Sequence, residues 1–135
     1  MADGVQALRT ALVADGTLTA LVPVTRIAAG PLPRDTALPA IALESISKVD
    51  RNILNPGTHR FVRERVQARV LASTYPSLKQ VMTALRGAAA DTFPTVSGLI
   101  NVTIHTDGAG PDFMNEDSSI HMGEQDFITT YSETR

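Results

Sequence analysis

Residues 61–90 read FVRERVQARVLASTYPSLKQVMTALRGAAA, and the spacing of their apolar residues changes once, at Tyr75-Pro76. Before that point apolar and polar residues alternate, which is the period of a half-buried β-strand. After it, apolar residues recur every three or four positions, which is typical of an amphipathic helix that begins near Pro76. The stretch therefore predicts a strand followed directly by a helix.

The predicted strand has one apolar face and one basic face. Successive side chains of a strand point to opposite sides of the sheet. One face, interrupted only by Glu64, carries Val62, Val66, Ala68, Val70 and Ala72. The other face carries Arg63, Arg65, Gln67 and Arg69. We expect the first face to lie in the core beneath the helix and the second to lie at the surface.

An N-terminal helix and three further strands are predicted outside this stretch. The helix covers residues 3–13, with Asp3 as its N-cap and Asp15-Gly16 as its end, and residues 17–22 add another turn or two. The strands are predicted at residues 38–46, 98–105 and 120–131. Ile41 and Leu43 should point inward in the first of them, and Ile100, Val102 and Ile104 in the second.

The segments between these elements are predicted to be loops. Residues 28–35 are too rich in Gly and Pro for regular structure, and residues 107–119 are polar. Residues 48–59 contain the turn signal Asn55-Pro56-Gly57 and predict a long hairpin tip. Together these features predict an α+β fold within a single domain, residues 1–135, with a mixed or antiparallel sheet of about four strands and two main helices packed on one face.

The composition argues against several classes of protein. The chain of 135 residues contains no Cys, which removes disulfides, thiolate nucleophiles and cysteine zinc sites. No apolar stretch approaches the roughly 18 residues of a membrane span, and the N-terminus does not resemble a signal peptide, so we expect synthesis in the cytoplasm and no membrane association. Aromatic residues make up only 4% of the chain and the pI is 5.8, which argues against sequence-specific DNA binding.

Charge is distributed unevenly along the chain. The net charge is −1 over residues 1–47, +6 over residues 48–90 and −7 over residues 91–135. Two interpretations follow. The basic middle and the acidic C-terminal third neutralise each other within one fold, or they meet head to tail between neighbouring copies.

No residue pattern predicts catalysis, a cofactor or a metal site. Asp107, Asp112, Glu116 and Asp117 lie in one acidic segment, but Ala109 and Pro111 occupy the third and fifth positions, where an EF-hand needs oxygen ligands. His59, His105 and His121 lack the spacing of paired ligands on a helix, although His105 and His121 could face each other across paired strands. We therefore expect no enzymatic activity, no cofactor and no bound metal.

The remaining candidate site is a set of arginines along the predicted hairpin and strand face, namely Arg51, Arg60, Arg63, Arg65 and Arg69. Such a set can form an interface between subunits or line a channel. It can equally be a solvated outer face, because exposed charges contribute little on their own.

Four ordered blocks resemble the tail completion or tail terminator proteins of long-tailed phages, a family also found in phage-derived gene transfer agents. The blocks are ALRTALVADGTLTALV at residues 7–22, RIAAGPLPRDTALPAIALESIS at 26–47, RVQARVLASTYPSLKQVMTALRGAA at 65–89, and the closing strand with DFITTY at 126–131. The resemblance covers most of the chain. It consists of the order and spacing of the blocks and includes no catalytic motif.

The resemblance implies a structural virion protein of the tail, located at its head-proximal end. Subunits of this family form a ring, usually a hexamer, that caps the tail tube and joins it to the head connector or stopper protein, with DNA passing through the lumen. On this basis we expect Arg60, Arg63, Arg65 and Arg69 to meet Asp112, Glu116 and Asp117 of the adjacent copy, or some of the arginines to face the channel.

Two alternatives remain open from the sequence. The chain could instead be a head-side adaptor or stopper of the same head-to-tail junction. It could also be an α+β domain that binds a small ligand or acts as an enzyme, with a pocket between the helices and the sheet.

Overall fold

The computed structural model describes residues 3–33, 36–51, 54, 57–114 and 119–134. Within these ranges three helices and six strands follow one another, with a short 3₁₀ turn at Val24–Arg26. In chain order they are α1 (Gly4–Val13), α2 (Gly16–Leu21), β1 (Ile27–Ala29), β2 (Ala40–Arg51), β3 (His59–Ala72), α3 (Tyr75–Ala89), β4 (Leu99–Ala109), β5 (Phe113–Met114) and β6 (His121–Thr134). None of these helices has the length and apolar composition of a membrane span.

The strands form one mixed sheet in the order β1-β2-β3-β6-β4, and the short strand β5 pairs with β6. β1 is parallel to β2, and the other pairs are antiparallel. The predicted α+β class is confirmed, but the sheet has six strands where about four were expected. The two extra strands, β1 and β5, are only three and two residues long and lie in segments that were predicted to be loops.

The unit formed by β3 and α3 matches its prediction. Val62, Val66, Ala68, Val70 and Ala72 are all fully buried. Leu78, Val81 and Leu85 of α3 share one core with all of these except Val62, and so do Leu8 and Leu12 of α1. The helix begins at Tyr75 because Thr74 accepts a hydrogen bond from the Ser77 amide and Pro76 lies in the first turn, where its missing N–H costs nothing.

The N-terminal helix begins and ends as predicted. The Asp3 carboxylate accepts from the Gln6 amide at 3.1 Å and caps α1. The helix ends at Val13, directly before Asp15-Gly16, and the Asp15 amide donates to the Leu12 carbonyl at 3.2 Å. The Asp15 carboxylate also accepts from the Leu18 amide at 3.0 Å, so the same residue is the N-cap of α2.

The strand β2 contains a bulge that changes which residues face the core. Ile41 and Leu43 are buried, as predicted. The register then shifts between Ser45 and Ser47, so that Lys48 lies opposite Glu64 and Val49 lies opposite Arg63. Pairing continues as far as Arg51, which makes the hairpin tip shorter than predicted; of its turn signal, Asn55 and Pro56 lie outside the described residues.

A second irregularity, in β4, overturns the predicted direction of Ile100. Asn101 has a positive φ of 54°, and the register with β6 shifts between Ile100 and Thr103. Val102 and Ile104 are buried as expected, whereas Ile100 is 42% exposed. The strict alternation assumed from the sequence is broken because the bulge adds a residue to one strand of the pair.

Candidate functional site

The basic face of β3 lies on the side of the sheet opposite α1 and α3. Residues that pair across β2, β3, β6 and β4 form rows on this face, which we call the outer face. The rows separate it into two parts with different chemistry.

The first part, which we call the arginine–carboxylate ladder, consists of Arg65, Arg69, Asp107, Glu124 and Asp126. Arg65 Nη2 lies 2.7 Å from Asp126 Oδ2 and 3.3 Å from Asp107 Oδ2. Arg69 donates to Glu124 Oε2 from Nη2 at 3.0 Å and from Nε at 3.3 Å. At these positions the basic middle and the acidic C-terminal third of the sequence neutralise each other within one chain.

The second part, the acid-free end, consists of two adjacent rows. One row is Val49, Arg63, Thr130 and Thr103, and the next is Arg51, Phe61, Ser132 and Ile100. Val49 is 48% exposed and Phe61 is 46% exposed, and the rows contain no carboxylate. Among the described residues, no acidic group lies within ion-pair distance of Arg51 or Arg63.

Arg60 does not share a surface with the other arginines of the predicted set. It is an even-numbered residue of β3 and therefore follows the alternation of Val62 and Glu64, on the helix side of the sheet. It pairs with Glu133, directly opposite on β6, at 3.6 Å. Arg60 therefore lies on the opposite side of the sheet from Arg63, Arg65 and Arg69.

The predicted acidic partner Asp112 is bound to α3. Its Oδ2 lies 2.6 Å from Lys79 Nζ and accepts a hydrogen bond from the Tyr75 hydroxyl at 2.9 Å. The Lys79 hydrogen bond, and then that of Tyr75, hold the pKa of Asp112 below its ordinary value, while Asp112 raises the pKa of Lys79. Glu116 and Asp117, the other two predicted partners, lie outside the described residues.

Glu64, which interrupts the apolar face in the sequence, has a position that was not foreseen. It is fully buried, and its Oε1 accepts from the Gly4 amide at 2.9 Å and from the Tyr131 hydroxyl at 2.7 Å. Lys48 Nζ lies 3.9 Å from the same oxygen, whereas Oε2 has no hydrogen-bond partner. Burial, and then the hydrogen bond to Glu64, raise the pKa of Tyr131. The single Glu in an apolar alternation was the signal that could have marked this cluster.

The histidines lie apart from one another in the described part of the chain, and His105 Nδ1 lies 2.7 Å from Asp91 Oδ1 at the surface. His105 lies opposite Ile128 and His121 opposite Ala72, so these two histidines do not face each other. No group of three potential metal ligands occurs among the described residues. A depression between α1 and the segment after α3 is lined mainly by small and apolar residues; its one carboxylate, Asp15, caps α2.

Comparison with known proteins assigns the fold to a family. The family model of tail completion protein gp17 matches residues 6–132. A chain of the solved structure described as "Virion of native gene transfer agent (GTA) particle" has a TM-score of 0.75 and 17% identity, and the match covers 96% of this chain and 94% of that one. No curated protein sequence matches the chain. The structural match shows a shared fold, and the family model extends over nearly the whole sequence, so the chain belongs to the tail completion protein gp17 family and is a structural protein of a virion tail.

Proposed function

We propose that the whole chain, residues 1–135, is the subunit of a hexameric ring at the head-proximal end of the tail. The ring caps the tail tube and joins it to the head connector, and DNA passes through its lumen without sequence-specific binding. The subunit has no catalytic role and needs no cofactor. The observation that carries the proposal is the family match over residues 6–132.

The two edges of the sheet differ, which supports a ring built from head-to-tail contacts. At one edge, β1 pairs only with Ile41–Leu43, so residues 44–51 of β2 have no strand beyond them among the described residues. At the other edge, the last strand is β4, and Thr92 pairs with it at Ile104. A surface with two unlike edges suits a heterologous interface, which closes into a ring when the rotation between copies allows it.

Within this ring, the proposed contacts between copies or with the lumen remain the eight charged residues named from the sequence: Arg51, Arg60, Arg63, Arg65, Arg69, Asp112, Glu116 and Asp117. Arg51 and Arg63 have no compensating carboxylate in the described part of the subunit, so they are available to contact another protein, either a neighbouring copy or the tail tube. Arg60, Arg65, Arg69 and Asp112 would have to exchange partners to contact a neighbouring copy.

The test is the mass of the purified protein by light scattering, followed by negative-stain imaging with and without isolated tail tubes. Rings that cap tube ends, formed in solution or only on tubes, support the proposal. A monomer that ignores tube ends contradicts it, and binding to isolated head connectors alone indicates an adaptor or stopper. In the same assay, normal rings from the R63E/R65E variant at any salt concentration would rule out both arginines as contacts between copies.

A further inference from the structure

We infer that the acid-free end of the outer face docks on an acidic protein surface that repeats around the end of the tail tube. The inference rests on the proposed function, and it adds the part of the subunit that makes the contact and the chemistry of the surface that receives it.

In the part of the subunit that the structure describes, the charge of this region has no acidic partner. Arg65 and Arg69, on the same strand, each have a carboxylate within about hydrogen-bond distance, at 2.7 and 3.0 Å. Arg63 lies between Val49 and Thr130, and Arg51 lies opposite Phe61, so neither has an acidic neighbour across the strands. Two uncompensated guanidinium groups are complementary to carboxylates, with which they can form paired hydrogen bonds.

The apolar side chains favour a protein partner over nucleic acid. Val49, Phe61 and Ile100 are each more than 40% exposed, and they lie in the same two rows as the arginines. Phosphate groups gain nothing from aliphatic contacts, and a single Phe is not a stacking platform for bases. The three carboxylates of the ladder also lie on this face and oppose the approach of an extended polyanion. Arginines mixed with apolar side chains are typical of the centre of a protein interface.

The size of the region indicates a partner with many copies. Four strands at about 4.8 Å spacing and two rows at roughly 7 Å give a patch of about 270 Å². A stable interface buries about 800 Å² on each side, so one acid-free end cannot hold a partner alone. The same contact repeated around a ring binds much more tightly, because each contact raises the effective concentration for the next. This requirement fits the end of a tube better than a second copy of the chain.

The experiment is co-sedimentation of the full-length protein with isolated tail tubes. We expect the R51E/R63E variant to lose at least about tenfold in apparent affinity, because reversed charges leave the acidic surface unpaired. F61S should also weaken binding, whereas R51K/R63K should retain most of it. R86E is the control for a charge reversal outside the acid-free end, since Arg86 is exposed on α3 and has no ion pair in the described part of the chain.

The outcomes separate this inference from the proposed function. Wild-type protein that does not sediment with tubes overturns both. If the wild-type protein and the R51E/R63E variant bind tubes equally well, the inference alone is overturned. The inference also fails if the folded variant loses ring formation without tubes, or loses only the binding of a 30-base-pair DNA duplex. A selective loss of tube binding, with R86E unaffected and the unfolding midpoints unchanged, supports it.

Discussion

The Tyr131 hydroxyl donates a hydrogen bond of 2.7 Å to the buried carboxylate of Glu64, and the Gly4 amide donates to the same oxygen at 2.9 Å. Three elements, α1, β3 and β6, therefore meet at one atom inside the core. A buried carboxylate is costly unless hydrogen bonds compensate it, so the stability of this arrangement depends on each donor.

Removing the Tyr131 hydroxyl should destabilise the protein. We expect Y131F to lower the free energy of unfolding by about 1–3 kcal/mol, because it removes one of two donors from a buried carboxylate. Urea denaturation measures the change. Y75F is the matched control, since Tyr75 donates to Asp112 at the surface and its loss should change stability by less than about 0.5 kcal/mol. Equal effects of the two variants would contradict the importance of burial.

A double-mutant cycle should show that Tyr131 and Glu64 act together. We expect E64A to lower the free energy of unfolding more than Y131F does, because it leaves the Gly4 amide and the Tyr131 hydroxyl unpaired. The combined variant should be more stable than the sum of the single changes predicts, by about 0.5–3 kcal/mol. Additive effects would show that the 2.7 Å contact contributes nothing specific.

The beginning of α1 should accept no side chain at Gly4. A Cβ atom there would lie 2.8 Å from Glu64 Oε1 and would also overlap Thr129 Oγ1. We expect G4A to lower the free energy of unfolding by about 1–3 kcal/mol, because the Glu64 carboxylate must move away from its donors. G87A is the control, since nothing lies within 4 Å of that position on α3 and Ala should stabilise the helix by about 0.5–1 kcal/mol. Thermal unfolding of both variants checks the opposite signs.

The Asp112–Lys79 pair should make stability depend on acidic pH. Because the folded pKa of Asp112 lies below its ordinary value of 3.8, the pair stabilises the fold above that pH, and the contribution is lost as pH falls through the folded pKa. We expect D112N to lower the unfolding midpoint at pH 6 and to match the wild type once both are measured well below pH 3.8. A difference that persists in strong acid would contradict this origin.

Reversing the charge of Arg65, which belongs to the ladder, should lower the stability of the fold more than reversing the charge of Arg63. R65E places a third carboxylate beside Asp126 and Asp107, and we expect a loss of about 1 kcal/mol at low salt that shrinks at high salt. R63E meets no carboxylate across the strands and should leave the unfolding midpoint almost unchanged. The measurement is thermal unfolding at two salt concentrations. A larger loss in R63E would show that Arg63 has an internal partner.

Local periodicity predicted the parts of the fold in which each residue's neighbours in sequence decide its position. The change of period at Tyr75-Pro76 located β3 and α3, and the alternation from Val62 to Ala72 gave the core face. The strand β1 was missed because its three residues gain regular structure only by pairing with Ile41–Leu43, which lie far away in sequence. Ile100 was misplaced because the positive φ of Asn101 has no signature in the apolar pattern.

The candidate site was predictable in composition but not in pairing. The arginines were evident from the sequence, although Arg60 was grouped with the others and not with Val62, whose alternation it follows. What the sequence could not show is that β6 lies directly beside β3, which brings Asp126 to Arg65 and Glu124 to Arg69. That register joins residues more than 50 positions apart and depends on the whole sheet.

The bulge at Ser45–Ser47 separates the hairpin into two halves that can change independently. Before it, Ile41 and Leu43 must stay apolar because they fill the core. After it, residues 48–51 follow the opposite alternation and are all exposed. If Ile46 were paired with Arg65 and no bulge were present, Val49 would lie opposite Val62, and Val49 and Arg51 would turn away from the outer face. A single inserted residue thus lets the projecting half of the hairpin diversify toward new partners while the packing of the subunit stays the same.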